Sequence, residues 1–254
     1  MARISRRRFL ALAGATILGL ATHGSIGAYT IEVERIHLGL GRKILFAPDI
    51  HTHGGDRDEL VQLASRERPD IIILGGDLWD RLTPSLTVVE GLVAALKQQA
   101  GALVYTPGNH EHWIDSRGTI SLREALQTLE SLGVETLLDD KTTVKGLLVA
   151  ALDWRDNPAN YREPAHRIGE ADITVAHSPD AFPHLHPRQH LLLAGHTHGG
   201  QLCLPRGRPI KTNSIYGYTW GVYKTPERTM LLSRGAGEMI PPRIYCSRHV
   251  YILT

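Results

Sequence analysis

Cysteine is almost missing from this chain: Cys203 and Cys246 are the only two in 254 residues. Two thiols are too few for a structural zinc cluster, so any metal must sit on His, Asp or Asn. They allow one disulfide in an oxidising compartment, but the sequence does not establish that they meet. Aromatic residues make up only 6%, and no long polar or single-residue tract occurs, which argues against large-scale disorder. No apolar run reaches the roughly 20 residues that a bilayer span needs. An excess of one charge is missing as well. The formal charge is +2, but Arg3, Arg6, Arg7 and Arg8 lie in residues 1–28, which carry no acid. Without those four, 24 basic side chains face 26 acidic ones, so the body of the protein gives no electrostatic case for a nucleic-acid partner.

What the chain does have is histidine, 14 in all, and a distinctive start. Ser5-Arg6-Arg7-Arg8-Phe9-Leu10 precedes an apolar run from Phe9 to about Thr22. A positive segment followed by a short apolar one is a secretory signal, and the paired arginines before Phe-Leu resemble a twin-arginine export signal. We therefore expect residues 1–28 to be an address or an N-terminal anchor, and 29–254 one domain. The protein would use the twin-arginine export machinery and lie in the periplasm or on the outer face of the cytoplasmic membrane. Membrane contact is expected only through an uncleaved N-terminus.

From residue 43 onward, short β-branched runs alternate with amphipathic stretches. Strands are predicted at 43–47, 71–74 and 102–105, and helices at 58–68, 85–99 and 120–132. These βαβ units imply a parallel sheet covered by helices. After residue 134 strand-like runs follow with little helix between them, at 134–137, 142–144, 147–152, 173–176, 191–194, 229–233 and 250–253. This half reads as a mixed or antiparallel sheet packed on the first. Residues 153–167 and 205–228 read as long loops, which are usually functional.

Five motifs follow apolar strands: Asp49-Ile50-His51, Gly76-Asp77-Leu78-Trp79-Asp80, Gly108-Asn109-His110-Glu111, His177-Ser178-Pro179 and Gly195-His196-Thr197-His198. Ligands of open α/β sheets bind beyond the carboxyl ends of the strands, so all five can converge on one edge. Asp49 and His51, like His196 and His198, stand two apart and would share a side of an extended chain. Imidazole and carboxylate donors suit manganese, iron or zinc rather than calcium.

In this order the five motifs resemble the calcineurin-like metallophosphoesterase superfamily, over roughly residues 43–254. The segments Ala176-His177-Ser178-Pro179-Asp180 and Gly195-His196-Thr197-His198-Gly199-Gly200-Gln201, with the twin-arginine start, are similar to its exported bacterial phosphodiesterase branch. Pro48 departs from the small polar residue usual before the first Asp. The resemblance implies an α/β fold of two mixed β-sheets packed face to face and flanked by helices. It also implies two divalent ions, manganese first, with iron or zinc as alternatives. Asp49, His51 and His198 would bind one ion, Asn109, His177 and His196 the other, and Asp77 would bridge them. His110 would serve the leaving oxygen, with Asp80 orienting it. Two ions, two carboxylates and a bridging hydroxide leave a net +1, which favours a small-molecule or lipid-linked phosphate ester under in-line attack.

Four other readings compete. Asp80-Arg81 and His110-Glu111 hint at a Ser/Thr protein phosphatase, but Leu82 stands where those enzymes carry Gly and His177 lacks their following Gly-Gly. Asp49-Ile50-His51-Thr52-His53 also looks like the opening of a barrel amidohydrolase, which leaves the later motifs unexplained. A UDP-diacylglucosamine pyrophosphatase-type lipid precursor hydrolase would act in the cytoplasm, against the export signal. A non-catalytic exported metal-binding protein would have lost a ligand or His110, and neither is missing. His53 reads as a loop histidine and His184, His186 and His190 as surface. Arg234 and Arg243 would either meet a phosphate or, more commonly for such residues, be plain surface cations. Tyr216, Tyr218, Trp220 and Tyr223 would either line a cleft or pack at a sheet edge.

Overall fold

The computed structural model describes residues 28–53, 58–115 and 120–254; residues 1–27, on which the expected export address falls, lie outside them. Fourteen strands are described. One six-stranded sheet contains β1 (Ile31–Ile36), β2 (Ile44–Phe46), β3 (Ile71–Gly75), β4 (Ala102–Thr106), β5 (Glu135–Thr136) and β14 (Arg248–Leu253), in the order β1-β14-β2-β3-β4-β5. The other contains β6 (Asp140–Val144), β7 (Leu147–Leu152), β8 (Ile173–Ala176), β9 (Leu191–Ala194), β12 (Gly221–Lys224) and β13 (Thr229–Leu232), in the order β12-β13-β9-β8-β7-β6. A short hairpin, β10 (Cys203–Leu204) with β11 (Arg208–Pro209), stands apart from both.

Strand alternation explains the layering. Along β2 and β3, Ile44, Phe46, Ile71 and Ile73 face one way and join Val149, Ala151, Ile173, Val175 and Leu193 of the second sheet in one buried cluster. Leu45, Ile72 and Leu74 face the other way, against Leu60, Leu63, Val93 and Leu129. Those residues come from the helices α1 (Asp58–Glu67), α2 (Leu86–Lys97) and α4 (Leu122–Ser131). The outer side of the second sheet is covered by Tyr161, Ala165, Ile168 and Phe182, partly from α5 (Arg162–Ile168). Because both faces of each sheet are covered, the central strands are continuous apolar runs rather than alternating ones. The result is helix, sheet, sheet, helix, the expected α/β class with two mixed sheets.

Local signals set the helix ends. Ser121 caps α4 by accepting from Glu124 N, as a Ser-x-x-Glu start allows. Helix α1 stops at Arg68, which takes φ +45 just before Pro69.

Several expectations are corrected. The run at 250–253 belongs to the first sheet, not the second, and lies antiparallel to β2, so that sheet is mixed rather than parallel. The run at 134–137 gives its edge strand β5. Strand β1 and a short helix at the site, α3 (Asn109–Asp115), were not expected. The loops predicted at 153–167 and 205–228 contain most of α5, the second strand of the β10–β11 hairpin, and β12.

Strand β14 is the last strand in chain order among the described residues, yet it sits between β1 and β2. Burial of Val250, Tyr251, Ile252 and Leu253 contributes roughly 6–12 kcal/mol at about 1.5–3 kcal/mol per side chain, comparable with the whole stability of a typical domain. A chain ending at Ser247 should therefore show no cooperative unfolding in a urea titration followed by circular dichroism. A normal transition would show that β14 is dispensable.

Candidate metal centre

The parallel strands β2, β3 and β4 of the first sheet and β8 and β9 of the second are each followed by a segment that carries ligand candidates. The loop after β2 holds Asp49 and His51, and that after β3 holds Asp77 and Asp80. Helix α3 follows β4 and begins with Asn109 and His110. His177 follows β8, and His196 and His198 follow β9. The first sheet thus supplies the carboxylates and the amide, while the second supplies three imidazoles. The loops are laced together by backbone bonds: Asp49 N donates to Gly76 O (2.9 Å), His51 N to Asp77 O (2.9 Å) and Thr52 N to Leu78 O (2.9 Å).

The backbone there is not extended, as the two-residue spacing suggested. Asp49, His51, Asp77, His196 and His198 all have φ between 49 and 74, in the left-handed region. Such positions cost L-residues of order 1–3 kcal/mol each and cluster at working sites. The side chains still converge, but tight turns bring them together rather than strand alternation. Two glycines admit this crowding. A Cβ on Gly108 would lie 2.4 Å from Asp77 Oδ1, and one on Gly76 2.5 Å from His177 Nδ1.

The donor atoms fall into two groups that share one residue. Asp49, His51, Asp77 and His198 have ligand atoms all within 4.8 Å of one another, and so do Asp77, His177 and His196. Asn109 Oδ1 lies 3.1 Å from His177 Nε2 and so adjoins the second group. Within the first, His51 Nε2 is 3.3 Å from His198 Nε2 and 3.8 Å from Asp77 Oδ2. In the second, His177 Nε2 is 3.1 Å from Asp77 Oδ2.

The orientation of the rings fits metal binding. His177 Nδ1 donates to Gly75 O (2.8 Å) and His51 Nδ1 to Asp80 Oδ2 (2.8 Å), so each turns Nε2 into the cluster. Ligating histidines commonly have their other nitrogen fixed in this way. Asp49 and Asp77 are buried beside each other and are met by imidazoles and backbone N–H groups; His196 N donates to both Asp49 oxygens (2.9 and 3.0 Å) and His110 N to Asp77 Oδ1 (2.9 Å). Two buried carboxylates facing this set of nitrogens are the donor set two divalent ions require.

The electrostatics carry the same message. Burial, reinforced by the charge of Asp77, pushes Asp49 up to about 6. Asp77 is held well below the usual range, because His177 outweighs its burial. Burial would lower His177, but Asp77 and Asp49 raise it to about 10. Burial and the neighbouring cations keep His196 near 3 and His198 well below its ordinary value.

Three contacts differ from expectation or were not foreseen. Asp80 does not orient His110: its carboxylate pairs with His51 and, at 2.9 Å, with His53. His110 lies over the pocket, with Nε2 3.9 Å from Asp77 Oδ2 and its ring against His51 and Trp113. Glu111, fully buried, accepts from Gly108 N (2.8 Å), Asp77 N (3.1 Å), Leu78 N (2.5 Å) and Trp79 N (3.3 Å), fastening the β3 loop to the β4 loop. Only its place after Asn109-His110 marked it in the sequence. Arg243 is not a surface cation. It is fully buried, and its Nη2 lies 3.0 Å from His198 Nδ1 while Nε pairs with Glu238. Nothing in the sequence around it signals burial. The two thiols also meet behind His198: Cys246 Sγ is 3.1 Å from His198 O, and both sulfurs contact Gly199 O.

With that geometry in view, comparison with known proteins gives the family. The calcineurin-like phosphoesterase family model matches residues 42–200. The chain belongs to that family. It is 29% identical to "Phosphodiesterase YaeI" of Escherichia coli, over 98% of each chain. It is 29% identical to the metallophosphoesterase YkuE of Bacillus subtilis, over 100% of this chain and 98% of that one. An Aquifex aeolicus metallophosphoesterase is 26% identical over 94% and 97%. A crystal structure sharing 12% of residues superposes over 78% of this chain and 91% of its own with a TM-score of 0.51, which supports the fold. This metallophosphoesterase carries Asp and His groups arranged for a dinuclear centre of divalent ions.

Ligation at His177 Nε2 must displace the proton that the raised pKa keeps there. Without metal, the His177–Asp77 pair adds stability that is complete below about 6.5 and fades as pH rises through about 10. Metal binding at pH 8 should therefore release about one proton per chain, and below about 6 a further one from Asp49. Calorimetry in buffers of different ionisation enthalpy counts these protons. Identical binding heats in all buffers would show that His177 is neutral before metal arrives.

Proposed function

We propose that this metallophosphoesterase is an exported phosphodiesterase that uses two divalent ions, manganese in the first instance. The observation that carries the reading is the pair of ligand groups meeting at Asp77, with His110 over their mouth. Asp49, His51, Asp77 and His198 would hold one ion, and Asp77, Asn109, His177 and His196 the other. Bound there, the ions supply Lewis-acid polarisation of phosphoryl oxygens and a water of lowered pKa.

The chain's own residues supply the rest. Burial lowers the pKa of His110, so its ring is largely neutral at pH 7, and a neutral imidazole still has one N–H to give to a leaving oxygen. Asp80 fixes the tautomer of His51. Beside the centre lies a cleft of about 480 Å³ whose lining includes His112, Trp113, Trp154, Arg155 and Asp156. Trp154 reaches the ligand rings, 4.9 Å from His196 and 5.9 Å from His177. This cleft has room for a second esterified group.

Charge favours a diester over a monoester. Arg155 is paired with Asp139 and Asp153, Arg234 with Glu32, and Arg243 with Glu238. Among the described residues each of these three already has a carboxylate partner, Arg243 sharing Glu238 with Arg248, so none of the three is free for the second negative charge of a monoester. A diester carries one charge and needs none. The name of the Escherichia coli relative accords with this reading.

The chemistry is tested with bis(p-nitrophenyl) phosphate and manganese-loaded protein. Chelation should abolish hydrolysis and manganese restore it. Asp77→Asn should be inactive, and His110→Ala should lose about 10²–10⁴ in kcat with its metal content intact. Equal rates for wild type and Asp77→Asn would remove the two-metal reading.

Export is supported by the Arg6-Arg7 pair and the apolar run after it. Replacing both arginines with lysine should leave the protein in the cytoplasmic fraction. Unchanged fractionation would exclude the twin-arginine route.

A further inference from the structure

The β10–β11 hairpin springs directly from the metal-ligand turn and belongs to neither large sheet. Its register sorts its side chains. Cys203 pairs with Pro209 and Leu204 with Arg208, and Ile210 N donates to Leu202 O (3.1 Å). Opposed residues of an antiparallel pair share a face, and alternate residues along each strand do too. Cys203 and Pro209 therefore turn inward, against the Gly199–Gly200 turn. Leu202, Leu204, Arg208 and Ile210 turn outward together.

This outward face is apolar and uncovered. Ile210 is 67% exposed and Leu204 50%. Nearby, Ile215 is 70% exposed, and with Ile210 it is the most exposed large apolar side chain among the described residues. Gln201 Nε2 bonds to Ile240 O (2.6 Å) and Pro242 O (3.2 Å), which keeps the exposed Ile240 at the base of the hairpin. Exposed apolar residues gathered in this way mark an interaction surface.

Charge says what the partner is. No acidic residue occurs between Asp180 and Glu227, whereas Arg206, Arg208, Lys211 and Lys224 do. Arg206, Arg208 and Lys211 are exposed and have no carboxylate partner among the described residues. A soluble polyanion would need the cations but not the apolar face, and a second copy of the chain would bring the same cations against themselves. Apolar side chains ringed by unpaired bases match the headgroup layer of an anionic bilayer, where each base near the surface adds attraction.

We propose that the hairpin docks on an anionic lipid bilayer, laying Leu204 and Ile210 into the headgroup region with Arg206 and Arg208 on lipid phosphates. His198 lies two residues before Gly200, so this docking would hold the mouth of the metal centre at the lipid surface. The proposal concerns a contact distinct from the N-terminal segment and stands independently of the catalytic reading.

The test uses the full chain with an environment-sensitive fluorophore on Ile210→Cys or, as control, on Gln127→Cys of α4; the native thiols are buried. The N-terminal segment can bring the protein to vesicles by itself, so the probe's surroundings are read rather than sedimentation. With phosphatidylcholine–phosphatidylglycerol vesicles, emission should shift to the blue at Ile210→Cys alone, and salt should reverse it. Adding Arg206→Glu and Arg208→Glu should raise the half-saturating lipid concentration at least about 30-fold. Three results would overturn the proposal: a probe that stays in water while the protein sediments, an equal shift on vesicles without phosphatidylglycerol, or a shift without lipid that grows with protein concentration, which would mean that a second copy covers the face.

Discussion

Two carboxylates buried at the junction of two sheets set the terms for everything around them. Asp49 and Asp77 are 0% and 1% exposed, and an ion taken out of water in this way costs several kcal/mol unless it is compensated. The fold compensates only in part. His177 answers Asp77, and backbone N–H groups from His196 and His110 answer both. Asp49 retains a pKa of about 6 because burial and Asp77 together disfavour its charge. The centre is thus short of positive charge by construction, and a pair of divalent ions is what makes up the difference.

Holding such a cluster requires the backbone to be fixed against its own preferences. Five ligand candidates are in the left-handed region, an arrangement that persists only where the surroundings over-determine it. Those surroundings are the three bonds that lace the β2 loop to the β3 loop, and the Glu111 carboxylate, which takes four N–H groups from the β3 and β4 loops. Burial and the charge of Asp77 push Glu111 up to about 7, so a further carboxylate is held at a cost to keep Asp77 in place. Because three of the four candidate ligand imidazoles come from the second sheet, the centre forms only when the apolar faces beneath it, such as Ile73 and Val175, have already met.

This division explains how much was legible in the chain. The ligand candidates follow apolar runs that are strands in the structure, and both the runs and the residue types are local features. The partner of a strand is not local. Val250 to Leu253 has the same β-branched, apolar character whichever sheet it enters, and only the pairing with Ile44–Phe46 decides. Asp80 likewise stands three residues from Asp77, a spacing that marks a partner without saying which imidazole it holds. Arg243 was misread for a related reason: a guanidinium in a Pro-rich segment looks solvated, and its burial depends on carbonyl acceptors at Arg234, Gly237 and Cys246 that the chain brings together only on folding.

Net charge conceals a second division. The body of the chain is nearly neutral, but its cations are used in two ways. Around the centre, Arg155 and Arg234 are paired with carboxylates and Arg243 shares Glu238 with Arg248, so much of the local potential is left to whatever ions the ligands hold. Along residues 181–226 acids are absent and the bases of the hairpin stand free in water. Unmatched cations beside the ligand cluster would compete with divalent ions for Asp49 and Asp77, and would weaken the site they flank. Displaced onto a hairpin outside it, the same charges keep their long-range attraction for anionic surfaces, which falls off within about 8–10 Å at moderate salt. Segregation of this kind lets one small molecule present a cation-hungry pocket and a cationic face side by side without either cancelling the other.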